Sequence, residues 1–155
     1  MTIRQATIED IPQIALLWRE VADMHAGWEP MFELTPEPDG KYFAHITAIL
    51  GKDNYRLIVA EIENKIIGYS TLAFSTRPEV FSKRLSASIQ DTCVKSEYRK
   101  AGIGKQLTQE LINIAKGKGV ELITLGVAVD NEVGNVFWKE MGFKPTVNQM
   151  AMYLD

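Results

Sequence analysis

The stretch "EYRKAGIGKQL", residues 97–107, joins two glycines, three cationic side chains and the first residues of an amphipathic helix. Such a junction suits an anion. The first N–H groups of a helix have no intrahelical partner and carry partial positive charge, so they accept a phosphate or carboxylate. Glycine at Gly102 and Gly104 lets the main chain approach such a ligand closely. A flexible turn with solvated lysines would show the same composition, so the surrounding elements have to decide.

On the upstream side, "YRLIVAEIEN" (55–64), "KIIGYSTLAFST" (65–76) and "LSASIQDTCVK" (85–95) read as three successive strands, with Asn64–Lys65 as the tight turn between the first two. Downstream, a helix runs from Ile103 to Lys118 with Leu107, Leu111, Ile114 and Ala115 on its buried face. "VELITLGVAV" (120–129) is almost continuously apolar and predicts an interior strand. "NEVGNVFWKEMGF" (131–143) predicts a short helix capped by Asp130 or Asn131 and stopped by Gly142, and "TVNQMAMYLD" (146–155) a closing strand.

Towards the N-terminus, "TIRQA" is a short strand. The helix after it places Ile11, Ile14, Ala15, Trp18 and Val21 on one face, with Thr7 and Asp10 as a capping box or Pro12 moving the start to Asp10. Residues 26–40, rich in proline, glycine and aromatics, predict a long loop, and "KYFAHITAILG" (41–51) a second helix. The order β-α-α-β-β-β-α-β-α-β predicts an α/β fold: one domain over 1–155, with a single mixed sheet flanked by helices on both faces.

Composition narrows the function classes. A chain of 155 residues can bury a core without metal or disulfide support. Its net charge of −3 argues against nucleic acid as the main partner. Cys93, the only cysteine, permits neither an internal disulfide nor a thiolate zinc cluster, and no metal site is expected. With no secretion signal visible and no apolar run near the ~18 residues of a membrane span, a cytoplasmic, membrane-free location is expected.

The glycine loop fails two common phosphate-site patterns. A Walker loop would need glycine where Arg99 stands and Ser or Thr where Gln106 stands. A dinucleotide fingerprint would need glycine at Leu107. What remains, Arg99-Lys100-Ala101-Gly102-Ile103-Gly104, has the form [QR]-x-x-G-x-[GA]. With "NEVGNVFWKEMGF" behind it, the region 86–143 closely resembles the GCN5-related N-acetyltransferases.

That resemblance implies transfer of an acetyl group from acetyl-CoA to a primary amine by direct attack on the thioester. It implies main-chain contacts from Thr92, Cys93 and Val94 to the pantetheine arm, and pyrophosphate contacts from Arg99, Lys100, Ala101, Gly102, Ile103, Gly104 and Lys105. Asn131 and Gly134 would face the arm from the other side. The loop after the first helix, with His25 and Trp28, would help form the acceptor pocket. A small-molecule amine is the expected acceptor and a homodimer the expected assembly. A protein N-terminus or lysine, and a coenzyme-binding sensor without turnover, are the alternatives.

Two positions depart from the family pattern. Gln90 stands where polyamine-type members often carry a glutamate base, and Trp138 where the fourth helix usually supplies a tyrosine acid. Neither side chain titrates usefully. Asp91 is the candidate base, although strand alternation turns it to the opposite face unless a bulge intervenes. The expected route is therefore a water relay or a base from elsewhere. Cys93 reads as a buried structural thiol and His45 as structural.

Overall fold

The computed structural model describes residues 1–154. Its elements are β1 (Thr2–Gln5), α1 (Ile11–Ala26), α2 (Pro38–Ile49), β2 (Tyr55–Ile62), β3 (Lys65–Thr76), β4 (Leu85–Val94), α3 (Ile103–Gly117), β5 (Leu122–Leu125) and α4 (Glu132–Glu140). One sheet has the order β1-β2-β3-β4-β5. The first four strands are antiparallel neighbours, and β5 joins β4 in parallel after the α3 crossover.

The helices divide the core into two layers. Ile11, Ile14 and Leu17 of α1 and Tyr42, Ile46 and Ile49 of α2 cover one face, against Leu57, Val59, Tyr69 and Cys93. Ile103, Leu107, Leu111 and Ala115 of α3 cover the other, against Ile58, Leu72 and Ile89. This i, i+4, i+8, i+12 row is the α3 stripe expected from the sequence, with Ile114 at its edge. Leu107 and Leu111 are fully buried, and each such side chain contributes roughly 1.5–3 kcal/mol.

The start of α1 is fixed by charge. Asp10, 5% exposed, accepts from Arg4 at 2.7 and 2.9 Å and from the Thr7 N–H at 2.8 Å, while Arg4 Nε donates to Glu61 at 2.6 Å. The Arg4 guanidinium holds the Asp10 carboxyl below the usual carboxylate range. This network ties α1 to β1 and β2 and so sets the position of the helix whose far end reaches the site.

Several expectations are corrected. The β2–β3 turn is centred on Glu63 and Asn64, both left-handed at φ 48° and 63°, one residue earlier than expected. α2 begins at Pro38, and a short turn at Pro30–Phe32 interrupts the preceding loop. β5 is only four residues long and lies at the sheet edge, because the apolar run leaves the sheet at Gly126 and Val127 lines a cleft instead. Residues 146–154 form no strand; no ladder accepts them, and Tyr153 binds the 26–37 loop, donating to Glu29 at 3.1 Å and accepting from the Met31 N–H at 3.2 Å. Asp155, the last residue of the expected strand, lies outside the described residues.

Candidate active site

Two irregularities in β4 create the site. β4 pairs β5 only from Ser86 to Ile89, so the outward backbone edge of Gln90–Val94 has no strand beside it. A bulge also falls at Gln90: Thr71 pairs Asp91, whereas Leu72 pairs Ile89. Ile89 therefore packs towards α3, and Asp91 and Cys93 turn to the α1/α2 face. The bulge is the condition under which Asp91 escapes simple alternation.

The opening between β4 and β5 is a cavity of about 110 Å³. Val21 and His25 of α1 form one wall, Gln90–Cys93 of β4 its base, and Gly126, Val127, Asn131 and Trp138 the other wall. A wider opening of about 400 Å³ lies at the other end of the sheet, among Asn54, Phe74, Thr76, Leu85 and Lys118. Size does not select between them. The narrower one joins an unpaired strand edge to ionisable side chains.

Asp91 sits under the Tyr42 hydroxyl, which donates to its Oδ2 at a long 3.4 Å and lies 2.9 Å from the Tyr69 hydroxyl. Burial raises the Asp91 carboxyl above its ordinary value, and Tyr42, His45 and His25 offset part of that rise. The Tyr42 ring is clamped by a parallel stack on Trp18, 4.0 Å between centroids. Cys93 is 2% exposed, and burial pushes its thiol up to about 12. It is a buried thiol, as the sequence suggests. The Thr92 hydroxyl is taken by Ser70 at 2.7 Å, leaving its main chain for a ligand.

The glycine loop leads from β4 to α3. Lys100 and Gly102 are both left-handed, at φ 63° and 77°, and Gly102 is the N-cap of α3. The helix's first bond runs from Gln106 N–H to Gly102 O at 3.1 Å; among the described residues no carbonyl accepts from Ile103, Gly104 or Lys105. Ile103 is 4% exposed, so only its main chain is available to a ligand. Arg99 Nε donates to the Val94 carbonyl at 2.9 Å, which folds the loop back onto β4. A Cβ on Gly104 would lie 3.5 Å from Phe137 and 3.8 Å from Val94. The loop is thus packed against α4 as well as β4.

Opposite β4, Asn131 caps α4 by accepting the Gly134 N–H at 2.8 Å. A Cβ on Gly134 would meet Asn131 Nδ2 at 2.5 Å, so this cap needs glycine there. Trp138 stands edge-on between Phe137 and Phe143, at 4.8 and 5.5 Å. Of the residues singled out in the sequence, His25, Gln90, Asp91, Thr92, Cys93, Asn131 and Trp138 meet in one cavity; Arg99–Lys105 form a separate loop before and at the start of α3, and Trp28 packs behind His25 at 4.6 Å. His45 is exposed on α2 but within electrostatic reach of Asp91.

Two residues escaped the sequence reading. Tyr42 stood in the sequence only as part of the second helix, although a tyrosine hydroxyl in a buried helix face needs a polar partner. Asn135 donates through Nδ2 to the carbonyls of Ala128 and Asn131, each at 2.9 Å, and so pins the β5–α4 loop.

A family model described as acetyltransferase (GNAT) family matches residues 18–143. The chain is 26% identical over 151 residues to a glucosamine 6-phosphate N-acetyltransferase of Trypanosoma brucei brucei, covering 94% of this chain and 99% of that protein. It is 25% identical over 143 residues to an uncharacterised N-acetyltransferase of Methanocaldococcus jannaschii, covering 92% of this chain but only 60% of that protein's length. Among solved structures, a tetramutant of the BH1408 protein of Bacillus halodurans superimposes with a TM-score of 0.85 at 27% identity, covering 99% of this chain and 100% of that one. The chain belongs to the acetyltransferase (GNAT) family of N-acetyltransferase enzymes, and its fold is that of the family.

Proposed function

We propose that this chain transfers the acetyl group of acetyl-CoA to the primary amine of a small molecule, by direct attack of the amine on the thioester. The observation that carries this reading is the interrupted β4–β5 ladder, which leaves Gln90–Val94 open beside an anion cradle. The pantetheine arm fits that edge as an added strand, drawing on the main chain of Thr92, Cys93 and Val94. The pyrophosphate fits the free N–H groups of Ile103–Lys105, with Arg99, Lys100 and Lys105 supplying positive charge. Asn131 and Gly134 present the start of α4 to the arm from across the cleft.

A main-chain N–H of the opened edge supplies oxyanion stabilisation where the thioester carbonyl would lie. Asp91, at the base of the cavity, is suited to hold a cationic amine in line with it, since a desolvated carboxylate binds an ammonium more strongly than an exposed one does. Trp138 serves as a wall for the arm.

The small-molecule assignment rests on the closure of the acceptor side. His25, Trp28 and Phe32 form an aromatic cluster, and the contacts of Tyr153 with Glu29 and Met31 hold the tail against the same loop. A peptide needs an open groove; this wall gives a pocket. The action of the trypanosomal relative on an amino sugar, as its name states, supports the same reading. A protein acceptor is favoured by one observation, 38% identity over 50 residues to an N-alpha-acetyltransferase 30 of Schizosaccharomyces pombe. A homodimer in the cytoplasm is the assembly and location we propose. Exposed Val147, Met150 and Met152 on the tail support self-association, which light scattering would test.

The discriminating experiment offers acetyl-CoA with amino sugars, polyamines and free N-terminal peptides in parallel, with mass spectrometry of every acceptor. Acetylation of a small amine at a kcat/KM above that of any peptide is expected. Acetylation of peptides alone would reverse the assignment, and coenzyme binding without any product would leave the sensor reading.

A further inference from the structure

Making an amide from an ammonium removes two protons from nitrogen. One must leave before attack and the other after the carbon–nitrogen bond has formed. The departing thiolate takes up one, and a second acceptor must take the other. Gln90 cannot. Of the side chains lining the cavity, only His25, Asp91 and Cys93 ionise, and the Cys93 thiol is pushed up to about 12 by burial, so it stays protonated near neutrality.

His25 is held in one tautomer. Its Nδ1 stands 2.8 Å from the carbonyl oxygen of Val21, one turn earlier in α1. A carbonyl only accepts, so Nδ1 carries the hydrogen, and in the neutral ring Nε2 is left with a free lone pair. Edge contacts from Trp28 at 4.6 Å and Phe32 at 5.4 Å fix the ring plane. With Nδ1 turned back onto its own helix, Nε2 is the nitrogen left for the cavity that His25 lines from α1 and Asp91 from β4.

The geometry points to His25 as the proton acceptor of the transfer, with Asp91 as the anchor of the ammonium. This rests on the function proposed above. The ammonium, held by the Asp91 carboxylate, gives one proton to His25 Nε2. The freed lone pair attacks the thioester carbon, the C–N bond forms, and the C–S bond breaks with its electron pair leaving on sulfur. The second proton passes from nitrogen to that thiolate, giving CoA thiol, and the imidazolium returns its proton to solvent. The base absent from position 90 of β4 is thus supplied from α1, across the cavity.

His25→Ala tests this, with acetyl-CoA and the best small amine of the acceptor panel. We expect kcat to fall about 100-fold or more, with acetyl-CoA affinity by calorimetry unchanged within about twofold. Added imidazole should restore turnover, and substituted imidazoles should do so in the order of their basicity. Activity within about threefold of wild type, or a loss that imidazole does not restore in a variant binding acetyl-CoA normally, would overturn the role. A second readout needs no acceptor. The chain has two histidines, so ¹⁵N-imidazole spectra of wild type and His25→Ala assign His25 directly. A neutral ring protonated at Nδ1 is expected, and one protonated at Nε2 would overturn the assignment. Wild-type protein inactive on every amine would sink the underlying function; active wild type beside an equally active variant would sink only His25.

Discussion

The Tyr42 hydroxyl lies 3.4 Å from Asp91 Oδ2 and 2.9 Å from the Tyr69 hydroxyl, so the carboxylate is solvated on its inner side by a buried phenol pair. The arrangement is an incomplete substitute for water, and burial still raises the Asp91 carboxyl. A carboxyl whose folded value is raised contributes stability that is complete below its unfolded value, about 3.9, and is lost as pH rises through the folded value. At neutral pH the charged form therefore opposes folding. That is the expected cost of a site built to bind a cation.

Asp91→Asn should accordingly be more stable than wild type at pH 7, by about 1 kcal/mol, and less active. Loss of the anchoring charge should lower kcat/KM for the amine about 10- to 100-fold, while acetyl-CoA affinity is kept. Thermal unfolding followed from pH 3 to pH 8 checks the sign: the variant's advantage should shrink as the pH falls. An advantage that grew towards acid would contradict the assignment.

Lys100 holds a left-handed backbone without being glycine, which costs an ordinary L-residue about 1–2 kcal/mol. Lys100→Gly should relieve this strain and raise the melting temperature. It should also weaken acetyl-CoA binding, more at low than at high ionic strength, because a positive charge is lost from the cradle. Calorimetry at two salt concentrations, beside a melting curve, separates the two effects.

Asn135→Ala removes the donor that pins the carbonyls of Ala128 and Asn131. We expect a loss of about 1–2 kcal/mol and faster amide exchange over residues 126–132. The acetyl-CoA KM should rise while kcat is largely kept, since the loop positions one wall of the cleft and takes no part in proton transfer.

Trp138→Phe should keep most of kcat and raise the acetyl-CoA KM, because phenylalanine keeps an apolar wall and removes only an indole N–H. Equal falls in kcat and kcat/KM would instead assign the indole a role confined to the transition state.

Strands β1 to β4, the four helices and the glycine loop before α3 were legible because each rests on local chemistry. Runs rich in β-branched and aromatic residues, bounded by turn residues, mark β2 to β4, the Leu107–Leu111–Ala115 stripe marks α3, and Gly102 marks its start. What was illegible depends on partners distant in sequence. The bulge at Gln90 is a mismatch of β4 against β3, visible only once Thr71 is paired with Asp91. The apolar run 120–129 looked interior because residues that line a cleft and residues that line a core have the same composition. The tail at 146–154, expected as a strand, has no edge to join. In the sequence His25 was a candidate for the acceptor pocket and not for proton transfer. Its tautomer follows from a carbonyl four residues back, and its relation to Asp91 from the packing of α1 on β4.

Hydrogen exchange measured with and without acetyl-CoA tests the central claim most directly. Binding between the separated strands should slow exchange in residues 90–94 of β4, in the 99–106 cradle and in 131–135 at the start of α4. The wider opening around Asn54, Phe74, Leu85 and Lys118 should be unaffected. Protection confined to that second opening, or none at saturating acetyl-CoA, would contradict the account.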